Sequence, residues 1–192
     1  MQINSPELLA AAIKGSNEIE GEEDTGRYHS NHVIAANAAL TAAEHGQVIH
    51  PTALHYMLFH DLWRPEQRAG TFRQVDVGVN TGTGGFRLFA PWQRVPGLMD
   101  DWWELLLDYT TSLPRLRRKF PDAAWQLHAE FESIHPFEDG NGRAGRLVWW
   151  AIRAMEGDPI EVIDLSNRFE YYDRLELWRT ANPMFHFGKR SQ

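Results

Sequence analysis

Apolar residues recur along most of this chain at the three- and four-residue spacing of amphipathic helices. Ser5-Pro6 reads as an N-cap followed by proline at the first helical position. Leu8, Leu9, Ala12 and Ile13 then share a face, so a first helix is predicted to about Glu20, with Gly21 to end it. Residues 31–44 are rich in alanine, carry Val33, Ala36, Asn37 and Leu40 on one side and stop at Gly46. Pro51 opens a third helix with Leu54, Met57, Leu58 and Leu62 as its buried stripe and Pro65 beyond its end. A fourth covers about 98–113, after Pro96-Gly97. A fifth begins at Pro121-Asp122 and reaches Ile134. It has two apolar stripes, Trp125, His128, Ala129 and Glu132 on one face and Leu127, Phe131 and Ile134 on another, the pattern of a well-buried helix. A sixth, Arg143 to Met155, is apolar on most sides, and Ser166-Asn167 caps a seventh to about Ala181.

Residues 70–89 have a different texture. Thr71 to Val79 alternates polar and apolar positions, residues 80–85 form a glycine-rich turn, and Phe86 to Phe89 alternates again. This predicts a β-hairpin, whose open strand edge can pair with an extended segment of another protein. The expected fold class is therefore mainly α, a helical bundle with one β-hairpin flap.

Composition narrows the chemistry. With 192 residues, 43% of them hydrophobic and eight of them Trp, the chain can bury one sizeable core. The absence of cysteine excludes a disulfide scaffold and a thiolate zinc site. A net charge of −7 argues against nucleic acid as the main ligand, and the run Arg115-Leu-Arg-Arg-Lys119 is expected to be a solvated helix end. No basic region precedes an apolar run at the start and no stretch approaches a membrane span, so a cytoplasmic location without membrane attachment is the expectation. Oligomeric state is left open, with one of the pairs Trp102-Trp103 and Trp149-Trp150 available as an interface.

The densest concentration of chemistry is His135-Pro-Phe-Glu-Asp-Gly-Asn-Gly-Arg-Ala-Gly-Arg146, between the fifth and sixth helices. Its glycines lie where a helix begins, where free N–H groups and the dipole attract anions. Arg143 and Arg146 are three residues apart and rise from nearly one face toward the same anion. His135 supplies a base near neutrality and Asp139 a carboxylate for a metal.

This segment resembles the signature of the Fic-domain family, His-x-Phe-x-Asp/Glu-Gly-Asn-Gly-Arg-x-x-Arg, with every position present. A chance match in a chain of this length is on the order of 10⁻⁸, which makes coincidence a poor explanation. Trp125 to His135, Gly70-Thr-Phe-Arg73 and Tyr171-Tyr-Asp-Arg-Leu175 also resemble family segments, so the likeness covers most of residues 28–185. It implies transfer of AMP from ATP to a Ser, Thr or Tyr hydroxyl of a protein. In that scheme His135 is the general base and Asp139 holds Mg²⁺. Gly140, Asn141 and Gly142 cradle the phosphates with Arg143 and Arg146, and Phe137 fixes the loop. Thr71, Phe72 and Arg73 belong to the flap on which the protein substrate docks. Ser16-Asn-Glu-Ile-Glu20-Gly21 is similar to the family's inhibitory motif, in which Glu20 would pair with Arg146 and deny it to the γ-phosphate. By itself that short pattern would occur in about one chain in ten, so its weight comes from its place upstream of the core. Residues 1–24 are then expected to be an inhibitory helix and 25–192 the core of a single compact unit.

Alternatives stay open at this point. The same fold can remove AMP from a target, use another nucleotide donor, or serve as an inactive binding module. A different class, an HD-type metal phosphohydrolase, would use His29, His32 and His60-Asp61 as ligands.

Overall fold

The computed structural model describes residues 4–22, 26–62, 68–80, 86–113 and 115–182. Helix α1 (Pro6–Glu18) starts as the capping signal predicts, with the Leu8 N–H donating to Ser5 Oγ at 3.2 Å and proline in the first turn. Helices α2 (Gly26–Glu44) and α3 (Pro51–Phe59) follow. After the flap come a 3₁₀ turn (Trp92–Arg94) and α4 (Val95–Thr111). Then follow the short α5 (Arg115–Lys119), α6 (Ala123–Ile134), α7 (Asn141–Glu156) and α8 (Arg168–Ala181).

Helix α7 is the hub, packed by α1, α2, α3 and α6. It buries Leu147, Val148, Trp149, Trp150, Ala151 and Ile152 in succession, so apolar residues all round its circumference give it no solvent face over that span. Helix α6 has its two predicted stripes satisfied from different sides. It packs on α7, α4 and α8, and the Trp102 indole N–H from α4 reaches the Leu127 carbonyl at 2.9 Å. Left-handed glycines bound α7 at Gly140 (φ 75°) and Gly157 (φ 80°), conformations that cost a side chain but not glycine.

Three expectations need revision. Helix α2 begins at Gly26, five residues before the alanine-rich stretch, because Tyr28 of its first turn is packed against the core and has its ring 5.7 Å from the Arg143 guanidinium carbon. The basic run forms α5, and it is anchored: Arg117 donates to the Glu156 carbonyl and pairs with Asp158 at 2.7 Å. The hairpin is much shorter than the alternation predicts. Among the described residues only β1 (Gly78–Asn80) and β2 (Phe86–Leu88) form paired strands, antiparallel, with Val79 opposite Arg87. Residues 73–76 bond elsewhere: the Arg73 N–H goes to the Pro136 carbonyl at 2.9 Å and Asp76 accepts from the Trp92 N–H at 3.0 Å. The expected turns over 81–85 and 23–25, and Pro65, lie outside the described residues.

Helix α1 packs on α2 and α7 and lies against the 160–167 loop. The approach is close enough that a Cβ on Gly15 would come within 2.4 Å of the Ile163 carbonyl oxygen.

Candidate active site at the start of helix 7

Helix α6 ends on His135 in the left-handed region (φ 53°), the one non-glycine residue with positive φ among those described. Such a backbone costs on the order of 1–3 kcal/mol and persists only where its surroundings enforce it. Arg73 does much of the enforcing. Its side chain is 2% exposed, with Nε donating to the His135 carbonyl at 2.7 Å and the guanidinium bonding the Val75, Ala90 and Ile134 carbonyls. Arg73 is thus a clamp between flap and loop, and a target segment has no access to its guanidinium. Thr71 is exposed at the flap root, and Phe72 is half-buried with its ring 5.9 Å from that of Phe137.

Phe137 is fully buried, and Asn141 closes the loop around it: the side-chain Oδ1 accepts from the Phe137 N–H at 2.8 Å and Nδ2 donates to its carbonyl at 2.9 Å. The Asn141 side chain is therefore a loop latch, which leaves only its backbone N–H for an anion. At Gly140 a Cβ would strike the Phe59 ring at 2.3 Å, so the chain turns into α7 at a place only glycine fits.

His135 is half-buried. Burial first, then the cations Arg179 and Arg73, hold its pKa well below the usual imidazole range, with the Glu132 carbonyl opposing. It is accordingly neutral at physiological pH, the form able to accept a proton.

The two signature arginines are almost wholly buried. Arg146 Nε donates to Ser16 Oγ at 2.8 Å, and Nη2 donates to Glu20 Oε1 at 2.7 Å and the Ser16 carbonyl at 3.2 Å. Burial depresses the Arg146 pKa, but the charge of Glu20 and the surrounding acids carry it above the ordinary value. The carboxylate of Glu20 lies against the first turn of α7: a Cβ on Gly142 would come within 2.2 Å of Glu20 Oε1 and 2.8 Å of Arg146 Nη1. Ser16, Glu20 and Arg146 are thus brought together, and Gly21 (φ 75°) turns the chain beyond them. Arg143 Nη2 stands 3.8 Å from both Asp139 Oδ1 and Glu22 Oε1, with its guanidinium carbon 4.8 Å from the Phe59 ring centre.

Asp139 is partly exposed at the loop, and its Oδ1 accepts the Gly140 N–H at 2.6 Å. Among the described residues no group of three His, Asp or Glu side chains lies close enough to share a metal. Two ligands of the hydrolase alternative are engaged elsewhere: His32 is buried with Nδ1 2.8 Å from Asn17 Oδ1, and Asp61 accepts from Asn31 Nδ2 at 2.6 Å.

Beneath the first turn of α7 sits a buried layer that the sequence signals only as a helix stripe. The Glu132 carboxyl has its pKa raised to about 7 by burial and by Glu20, against Arg146 and Arg179. His128 Nε2 is 2.8 Å from the Tyr171 hydroxyl. Also outside the sequence's reach is His55 of α3. Its Nδ1 accepts from the Gly70 N–H at 2.9 Å and its Nε2 lies 3.0 Å from the Asp139 carbonyl, tying the flap root to the loop before α7. No local pattern distinguishes that histidine from a packing residue; only the fold brings Gly70 and Asp139 to its two nitrogens.

A family model described as the Fic/DOC family matches residues 47–152. A Fido domain-containing protein of Dictyostelium discoideum is 47% identical over 109 residues, 56% of this chain and 70% of that protein. A protein adenylyltransferase Fic of Drosophila willistoni is 34% identical over 110 residues, 56% of this chain and 20% of that protein, so the match spans about a fifth of that relative. Among solved structures, a Fic domain containing signaling protein from Bacteroides thetaiotaomicron superposes with a TM-score of 0.72 at 22% identity, covering 88% of this chain and 71% of that one. Fic-1 from C. elegans does so with a TM-score of 0.65 at 21% identity, covering 95% and 59%. At those identities the structural likeness is one of fold.

Proposed function

The chain belongs to the Fic/DOC family, and on that premise we propose that it transfers AMP from ATP to a hydroxyl side chain of another protein and is held silent by Glu20. The observation that carries this reading is the Glu20–Arg146 ion pair at 2.7 Å against the first turn of α7. A carboxylate there occupies the place an anionic phosphate would take, and it engages the arginine that phosphate would need.

In the transfer, the neutral His135 imidazole accepts the proton of the incoming hydroxyl. The hydroxyl oxygen bonds to the α-phosphorus, the bond from that phosphorus to the α,β-bridging oxygen breaks, and pyrophosphate leaves. The N–H groups at the start of α7 and the guanidinium of Arg143 hold the phosphates in line, so the rate comes from positioning and charge stabilisation. Asp139 fits a magnesium site, because one partly exposed carboxylate beside phosphate oxygens is the donor set Mg²⁺ takes, in contrast to an all-protein cage. Bound there, the ion would neutralise charge on the phosphates.

The test is labelled ATP offered to wild type and to Glu20→Gly. The variant is expected to label itself or a lysate protein at least tenfold more strongly; equal labelling removes the inhibitory assignment. His135→Ala in the Glu20→Gly background is expected to lose transfer while retaining ATP affinity within about threefold, and continued transfer would remove the base. Removal of AMP from a modified protein is the second reading, favoured by the same carboxylate lying where it can orient a water. Release of AMP from a modified target by wild type, lost in Glu20→Gly, would establish it.

A further inference from the structure

The ring of His135 is not left to find its own orientation. Phe89, the residue immediately after β2, stacks on it with ring centres 3.8 Å apart and planes 3° from parallel. Phe89 is itself 5% exposed, and its N–H continues the hairpin ladder by donating to the Val77 carbonyl at 3.1 Å. The guanidinium carbon of Arg179 lies 5.5 Å from the centre of the same ring. That arginine is fixed on α6, with Nε donating to Ser133 Oγ at 3.1 Å and Nη2 to the Glu132 carbonyl at 3.0 Å. Phe89 is thus held by the hairpin backbone and packed beside a guanidinium that α6 secures, and it presents a flat face to the imidazole.

From this stack we infer that Phe89 is a positioning residue for the base: the flap sets the plane of the His135 ring as well as offering an edge to the protein substrate. The inference rests on the reading of His135 as base. Three features call for such a device. Among the described residues no side chain hydrogen-bonds His135 Nδ1 to fix the ring, and only the Glu132 carbonyl acts on it. The residue sits on a left-handed backbone at a helix end. The cations Arg73 and Arg179, which disfavour its charged form, steady the loop and do not orient the ring. A parallel aromatic face restricts the side-chain torsions to one plane and leaves the ring edge clear of the stack. It also offers its π-face to the imidazolium formed once the proton is taken. The hairpin that aligns the acceptor hydroxyl and the ring that removes its proton are consequently one mechanical unit.

The experiment uses the full chain carrying Glu20→Gly, with Phe89→Leu and Phe89→Tyr added separately. Phe89→Leu is expected to lower kcat for AMP transfer roughly ten- to a hundredfold, the scale of a misaligned catalytic group, with KM for ATP within about twofold. Phe89→Tyr keeps the ring and is expected to retain most of the rate. A Leu variant at full rate, or Leu and Tyr variants equally impaired, overturns the inference. A second measurement needs no substitution that risks the fold. In the parent protein the His135 imidazole protons should resonate upfield, under the ring current of Phe89, by comparison with free histidine; unshifted protons overturn the stack. The two readings fail separately. Transfer lost in His135→Ala but intact in Phe89→Leu removes Phe89 alone. Transfer surviving His135→Ala removes the base, and with it the role assigned to Phe89.

Discussion

His55 has both ring nitrogens engaged, and the engagement assigns its tautomer. Because Nδ1 accepts from the Gly70 N–H, the ring proton belongs on Nε2, which donates to the Asp139 carbonyl. Burial, the largest influence, pushes its pKa down to about 4, with Arg143 adding to the shift. Free imidazole titrates near ~6.5, so between those values the unfolded chain takes up the proton more readily than the folded one. The stability His55 contributes is thus complete above the unfolded value and drains away as pH falls toward the folded one, by about 2 kcal/mol at pH 5. The gap in unfolding free energy between wild type and His55→Gln is therefore expected to shrink from pH 7.5 to pH 5, and a constant gap would contradict the assignment. Asn141 and Arg73 carry the same lesson. Both stand in segments whose chemistry is legible in the sequence, yet their side chains serve the loop's geometry through backbone carbonyls and amides. A residue type announces what it can bond; which backbone groups reach it is decided by the fold.

At the scale of the element, α1 is seated by several separate contacts. Ser16 and Glu20 engage Arg146, Asn17 engages His32, and Gly15 lies against residues 163 and 164. The motif at 16–21 was legible because it is local; its second anchor, His32, was not, since Asn17 occupies a position the pattern leaves unspecified. Gly15 permits a test that touches no signature residue. A Cβ there would meet the Ile163 carbonyl oxygen at 2.4 Å and Asp164 Cβ at 2.9 Å, both on a packed loop. Gly15→Ala should therefore lift α1 and raise AMP transfer severalfold, short of the Glu20→Gly level, with ATP labelling as the readout. Unchanged labelling would mean that the loop yields and α1 stays seated. The flap illustrates the opposite limit. Alternation over 71–79 promised a long strand, but the backbone of Arg73 is taken by Pro136 and the side chain of Asp76 by Trp92, which leaves the pairing among the described residues to the stretch from Val77 onward.

For the whole molecule, the helical periodicity was sufficient to foresee a bundle, because seven helices patterned at one spacing leave few other arrangements. It was insufficient to foresee that α7 would be the axis, which follows from its lack of a solvent face over 147–152 combined with glycine boundaries at both ends. Stability should concentrate there. Trp150 is 1% exposed, stacks near His32 and donates its indole N–H to the Glu161 carbonyl at 3.2 Å. Trp150→Ala is expected to cost about 3–5 kcal/mol, whereas truncating Phe169, 65% exposed on α8, should change stability by under about 0.5 kcal/mol. Denaturant midpoints of the two variants would check the contrast, and similar losses would displace α7 from its central role.

The carboxylate over Gly142 has one more consequence, because it is carried by the same chain as the site it fills. A tethered occupant has an effective concentration on the order of millimolar or above that no dilution alters. On the proposed reading, adding more enzyme or less enzyme would leave the silenced fraction the same. A separate inhibitor would wash away, whereas ATP would contend with a rival whose local abundance is written into the polypeptide. Relief would then have to come from something that moves α1.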